Sequence, residues 1–328
     1  MPRLPRLAAT ASAALALAVL GSGPAAAHEP TVSNPRIVAH FDLAAGQTPE
    51  NIALAPDGSA VLTFALARQV VRVDRQGTTT VLAQLPAVAN PQTPVIGAAA
   101  TMGVVRAKDG TLYVNYATGT AAENGVWRIR PDGGAPERIA ALPPGGFPNG
   151  LALDEKCGAL YAADSVLGTV WRVPLDGGAP TAWATGTALQ PLPAPNGLVG
   201  ANGIKVHNGA VWVSNTDRQT LLRIPVRHDG TAGPAETRAT GIAWIDDFAF
   251  TGHGDHVLAA LIMSNELALV RPDGTHKILL TAQDGLSNPT SAAVHKGTLY
   301  VPSAAFFTQT DPNLLLADLE KNGKNAKK

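Results

Sequence analysis

Phe147-Pro148-Asn149-Gly150-Leu151-Ala152-Leu153-Asp154 is echoed by Ala201-Asn202-Gly203-Ile204-Lys205-Val206. A chain that repeats itself at an interval of about fifty residues folds by assembling copies of one supersecondary unit. Four further stretches fall into the same pattern: Glu50-Asn51-Ile52-Ala53-Leu54, Thr101-Met102-Gly103-Val104-Val105, Asp246-Asp247-Phe248-Ala249-Phe250 and Thr290-Ser291-Ala292-Ala293-Val294. Each places a polar residue before an alternating apolar strand, then a turn, then a second apolar strand. The turns carry Gly beside Asp, Asn or Lys, as in Pro56-Asp57-Gly58, Lys108-Asp109-Gly110 and His207-Asn208-Gly209, which supply the positive φ that tight hairpins require. Six such units predict an all-β fold, a six-bladed β-propeller with four strands to a blade.

The repeat overrides the two-domain prior that 328 residues would carry and makes residues 36–318 one domain. Only 15% of the chain is charged, and 33 Gly and 26 Pro suit many short strands joined by turns. Formal net charge is zero and no Lys/Arg run stands out before the terminal lysines, so nucleic acid, which requires a concentrated basic surface, is not an expected partner. The lysines of residues 319–328 read as a solvated basic tail.

Residues 1–27 carry Arg3 and Arg6, an apolar run from Leu7 to Leu20, and Ala25-Ala26-Ala27. This is the pattern of a secretory signal peptide cut before His28, and the run is shorter than the roughly 20 residues that span a bilayer. The mature chain is therefore expected to be secreted, extracellular or in the cell envelope, without a membrane anchor. Residues 28–35 read as a polar leader. Cys157 is the single cysteine, so no internal disulfide forms, and its hairpin position reads as incidental rather than nucleophilic.

The sixth unit has strands at Ser291–Val294, Thr298–Val301 and Leu314–Ala317 but no fourth, whereas Arg36–Phe41 alternates like a strand before the first unit. Pairing that early strand at the outside of the sixth blade would close the ring and leave no central edge unpaired. Recurrent Trp and Tyr at matched places read as packing between blades. Longer loops at 86–101, 116–123, 189–200 and 306–311 are expected to form pocket walls or lids.

Innermost strands of a propeller line its channel, so the leading polar residues, Glu50, Thr101, Asn149, Asn202, Asp246 and Thr290, are expected to converge. Two carboxylates and two amides form an all-oxygen set suited to a hard divalent cation, Ca2+ first and Mg2+ or Mn2+ next, with Zn2+ compatible. The bland alternative is that these residues cap strand starts and bond to neighbouring blades.

The register of Glu50, Asn149, Asn202 and Asp246 resembles that of the gluconolactonase and senescence marker protein (regucalcin) family of six-bladed propellers, related more distantly to paraoxonases and strictosidine synthases. The resemblance extends over nearly all of the mature chain. It implies Glu50, Asn202 and Asp246 as ligands of one divalent metal and Asn149 as a further ligand or substrate contact. It also implies lactone hydrolysis, with the cation polarising the carbonyl and Asp246 as general base on water. Two departures stand out: Glu50-Asn51-Ile52 where the family commonly has Glu-Gly-Pro, and Asp246-Asp247 where it has Asp-Gly. Because a one-residue shift exchanges the face a strand residue occupies, Asp247 is an alternative ligand, although Asp246 keeps Phe248 and Phe250 in the apolar register.

No Gly-x-Ser-x-Gly elbow is present, and His253 with His256 read as a solvated turn. Asn115, Asp164 and Asn215, at the ends of second strands, read either as pocket lining or as turn residues. The expected partner is a small-molecule substrate, with no nucleic acid and no obligate protein partner. Two other functions fit the same pattern: a non-catalytic ligand-binding propeller, and a propeller recruited to another reaction in secondary metabolism.

Overall fold

The computed structural model describes residues 29–320. The signal peptide read from residues 1–27 lies outside them, as do residues 321–328. The described residues from Pro30 onward form one compact unit, built from six four-stranded antiparallel sheets. Five are formed by consecutive strands, with innermost strands at Pro49–Leu54, Ala100–Arg106, Pro148–Asp154, Ala201–His207 and Ile245–Phe250. The single helical turn among the described residues is Ala282–Asp284.

The sixth sheet closes the ring. Its inner strands, Ala293–His295 and Thr298–Ser303, are followed by Asn313–Glu320, which pairs with the first strand of the chain, Thr31–His40. Arg36 lies opposite Leu316 and Ile37 opposite Leu315, which is the closure expected from sequence. The closing strand is longer than expected. It begins at Thr31, inside the stretch read as a leader, and its partner runs to Glu320, past the expected boundary at 318. Thr31 to Ser33 pair with Glu320 to Asp318, so backbone hydrogen bonding continues after apolar alternation has faded.

Apolar side chains are buried between adjacent sheets, not in one central core. Tyr161, Val170, Ile204 and Val213 pack blade three against blade four; Trp212, Phe248 and Val257 pack blade four against blade five. Each such side chain contributes about 1.5–3 kcal/mol on burial. Aromatic residues pack both between and within blades: Tyr300 donates its hydroxyl hydrogen to Gly58 O of blade one at 2.9 Å, and Tyr161 meets Trp183 of its own blade edge to face.

Candidate functional site

The innermost strands are not regular where the leading polar residues lie. Pairing is interrupted between Pro148 and Leu151, between Ala201 and Ile204, between Ile245 and Phe248, and between Pro49 and Asn51. Such bulges bend a strand and re-aim its side chains. Each interruption contains a site residue: Asn149, Asn202, Asp246 or Glu50. These four are buried, and all line one cavity of about 640 Å3.

In blade two the interruption spans Met102 and Gly103, between Thr101 and Val104. The counterpart of Asn149 is therefore Met102, which lines the cavity, and not Thr101 as expected from sequence. Thr101 instead donates its hydroxyl hydrogen to Phe64 O at 2.9 Å. Thr290 holds the leading position of blade six but donates to Pro49 O at 2.9 Å and is absent from the cavity lining. At these two threonines the capping role holds.

The residues that follow form a second ring: Asn51, Gly103, Gly150, Gly203, Asp247 and Ser291. On one arc the blades approach so closely that only glycine fits. A Cβ at Gly103 would lie 2.4 Å from Leu151 N, one at Gly150 would lie 2.4 Å from Asn202 O, and one at Gly203 would lie 2.5 Å from Asp247 Cα. On the other arc, the Asp247 carboxylate accepts hydrogen bonds from Asn51 Nδ2 at 2.9 Å, Ser291 Oγ at 2.7 Å and Lys205 Nζ at 2.5 and 2.6 Å. Lys205 lines a different cavity, of about 560 Å3, whose walls share no residue with the first. The bulge thus turns Asp246 into the first cavity while Asp247 is fully engaged at the axis.

Both site amides are oriented by hydroxyl groups. Asn149 Nδ2 donates to Ser165 Oγ at 3.2 Å, and Ser165 Oγ donates to Ala201 O at 2.8 Å. Asn202 Nδ2 donates to Thr216 Oγ1 at 2.9 Å, and Thr216 Oγ1 donates to Ile245 O at 2.7 Å. Each hydroxyl links an amide to the backbone carbonyl immediately before the next site residue. With the nitrogen ends held in this way, the amide oxygens are the groups free to act as acceptors.

Glu50 is pushed up to about 8, first by burial and then by the Asp247 charge. Asp246 is raised well above the usual carboxylate range by burial, then by the Glu50 and Asp247 charges, with Asn202 and Lys205 partly offsetting the rise. No lysine or arginine lines this cavity. The site therefore takes up protons, or a cation, in place of an ion-pair partner.

The remaining candidates divide clearly. Loops 86–101, 189–200 and 306–311 supply wall residues, among them Ile96, Leu198 and Phe307, whereas 116–123 supplies none. Asn115, Asp164 and Asn215 do not line the cavity: Asn115, inside the second strand of blade two, donates from Nδ2 to Asn149 O and Gly150 O of blade three, Asp164 accepts from Phe147 N, and Asn215 Nδ2 donates to Ala188 O and Gln190 O. His256 Nδ1 bonds to His253 O within its turn, and Cys157 is exposed. Sequence reasoning missed Leu66, Trp244 and Met263, wall residues that lie in turns outside any periodic pattern.

No protein-family model matches the chain, and no curated protein sequence matches it. Solved structures do. A calcium-binding protein, regucalcin, from Agrobacterium tumefaciens is similar with a TM-score of 0.63 at 16% identity, covering 88% of this chain and 96% of that one. A gluconolactonase from Xanthomonas campestris is similar with a TM-score of 0.62 at 16% identity, covering 90% and 98%. PQQ-bound aldose sugar dehydrogenase from Streptomyces coelicolor is similar with a TM-score of 0.63 at 16% identity, covering 89% and 99%. At such identities the likeness is one of fold, and the chain is a six-bladed β-propeller whose structural neighbours include a gluconolactonase and a regucalcin.

Proposed function

We propose that the protein is an exported, metal-dependent hydrolase that opens a small lactone, with Glu50, Asn149, Asn202 and Asp246 holding one divalent cation, Ca2+ before Zn2+, Mn2+ or Mg2+. One observation carries this reading. Two buried carboxylates and two amides share a cavity floor with no cationic side chain beside them, while the nearby Lys205 is engaged by Asp247. Among the described residues no three His, Cys, Asp or Glu side chains form a metal-binding group; the donor set is two carboxylates completed by amide oxygens. Its chemistry fits a hard cation.

A cation bound there supplies Lewis acidity toward a carbonyl oxygen and acidifies water. Asp246 acts as general base, taking a proton from the water that adds to the lactone carbonyl carbon. As the ring C–O bond breaks, that proton passes to the departing alkoxide, so that lactone and water become one hydroxy acid. Asn149 has a second amide hydrogen, beyond the one given to Ser165, with which to hold the ring oxygen. Lys205 neutralises Asp247 just beneath, which keeps a further negative charge away from the developing oxyanion.

The test is lactone hydrolysis by the mature protein before and after chelation and on restoring single ions, alongside Asp246→Ala. Activity that disappears with the chelator, returns with one ion, and is abolished in a folded Asp246→Ala supports the assignment. A fully active Asp246→Ala protein rejects it. Export is tested by recovering the protein from the culture medium or cell envelope and sequencing its N-terminus, expected at His28.

The apolar cavity wall favours, as a second reading, a propeller that binds an apolar ligand without transforming it. Recovery of a tightly bound ligand chemically unchanged would select that reading.

A further inference from the structure

Ten large apolar side chains are exposed among the described residues, and six of them, Leu66, Ile96, Leu198, Trp244, Met263 and Phe307, line the single cavity above the four site residues. They come from turns and loops at different blades, so they surround the mouth. Phe307 is 61% exposed, Leu198 48% and Trp244 46%. Single exposed apolar residues are ordinary on a protein surface; a ring of them around one concavity marks a binding site.

These residues are held in place. Asn288 Oδ1 accepts from Phe307 N and Thr308 N, both at 2.8 Å. Asp217 Oδ2 accepts from Leu192 N, Leu198 N and Val199 N at 2.8–3.1 Å. Trp244 has a φ of 55° and Ala305, at the start of the Phe307 loop, also 55°, a left-handed conformation that bulky L-residues seldom adopt. Backbone strain of this kind persists only where the surroundings enforce it, and it concentrates at ligand sites.

Two polar residues of the wall, by contrast, already serve the protein itself. The Thr216 hydroxyl lies between Asn202 and Ile245 O, and Asp217 serves the three amides above. Met102 takes the floor position that an amide holds in blades three and four. A polyhydroxylated ring bound here would find polar partners mainly at the floor, and each hydroxyl buried against the apolar wall would go unpaired at a cost. The volume, about 640 Å3, lies within the range of small-molecule sites.

Building on the hydrolase reading, we infer that the substrate is a lactone bearing an apolar alkyl or aryl substituent, with its ester at the Glu50 and Asp246 floor and the substituent against the Trp244 and Phe307 rim, and not a sugar lactone. The experiment compares hydrolysis of γ-butyrolactone, γ-hexalactone, γ-octalactone, γ-decalactone and glucono-δ-lactone by the ion-loaded mature protein. Calorimetric titration with 5-hexylpyrrolidin-2-one, a lactam that keeps the substituent but resists opening, supplies an activity-independent readout.

Expected are a kcat/KM that rises with chain length by up to about fourfold per methylene until the cavity fills, poor use of glucono-δ-lactone, and lactam binding. Phe307→Ala should reduce the preference for γ-decalactone over γ-butyrolactone by about tenfold, chiefly through KM. Glucono-δ-lactone as the preferred substrate, or a flat chain-length series, overturns the inference and leaves the hydrolase reading standing. Lactam binding without turnover of any lactone supports the apolar ligand class and rejects hydrolysis. Failure to bind the lactam, with the folded protein instead sedimenting with phosphatidylcholine vesicles, overturns the inference in favour of a surface-docking rim.

Discussion

Asn51 and Asp247 hydrogen-bond across the propeller axis, Nδ2 to Oδ2 at 2.9 Å, although they lie 196 residues apart in the chain. Each lies in one of the two motifs at which the sequence departs from the gluconolactonase-like pattern, and the contact makes these two departures complementary. One carboxylate at the axis requires donors, and Asn51, Ser291 and Lys205 provide them.

Removing that carboxylate should therefore be costly. Asp247→Ala leaves the buried Asn51 and Ser291 donors and the partly exposed Lys205 ammonium without their acceptor, an expected loss of about 1–3 kcal/mol. Lys205→Met combined with Asp247→Ala should recover part of it. Urea unfolding of the two single variants and the double variant gives the coupling directly; strict additivity would show that the ion pair contributes nothing.

Thr216 lines the cavity and holds the Asn202 amide through its hydroxyl, which is anchored in turn on Ile245 O. Thr216→Val removes the hydroxyl that holds the amide nitrogen and should weaken cation affinity by about 10–100-fold, the usual effect of losing an orienting partner. Thr216→Ser should restore it. Calorimetric titration of the cation-free protein reads this apart from activity. Equal affinity in all three proteins would remove Thr216 from the orienting role.

Without a cation, Glu50 is raised to about 8 from an ordinary 4.5. The folded state thus holds its proton more tightly than the unfolded chain does. Below pH 4.5 both states are protonated and burial carries no ionic cost. As pH rises through 4.5 and on to about 8, the unfolded chain ionises first, and stability falls at a limiting slope of about 1.4 kcal/mol per pH unit for this group. Asp246, shifted in the same direction, steepens the loss. Melting temperatures of chelated protein should accordingly decline across this window, Glu50→Gln should flatten part of the decline, and Ca2+ should oppose it. A chelated wild type with no decline would contradict the burial of these carboxylates.

Deleting residues 31–40 should convert a cooperative melt into a broad one and promote association, because the strand Asn313–Glu320 would then present a long unpaired edge. Calorimetry and light scattering check this. A truncated protein that melts like the full chain would mean the ring does not depend on its closing strand.

The propeller was legible in the sequence because its period is long and its strand grammar uniform, and even the closing strand followed from counting strands in the sixth unit. The site was legible to within one residue. Asn149-Gly150 and Asn202-Gly203 mark their bulges plainly. In blade two, however, polar Thr101 drew the alignment away from Met102, although Met102-Gly103 continues the Gly register. Asp246 and Asp247 could not be separated by alternation alone, since a bulge breaks the period of two on which alternation rests. Trp244, Leu66 and Met263 were missed for a different reason. Turn residues carry no periodic signal, and what distinguishes them, large apolar side chains left exposed around one mouth, becomes visible only in three dimensions.

The glycine arc of Gly103, Gly150 and Gly203, joined to the bonded arc of Asn51, Asp247 and Ser291, forms a tightly packed layer one residue along each inner strand from the residues of the upper cavity. The two cavities share no lining residue: Phe307 lines the one that holds the site residues and Lys205 lines the other. Under the proposed hydrolase reading, substrate and hydroxy acid would share the site on one side of this layer, and inhibition of the reaction by added hydroxy acid is the expected sign of it.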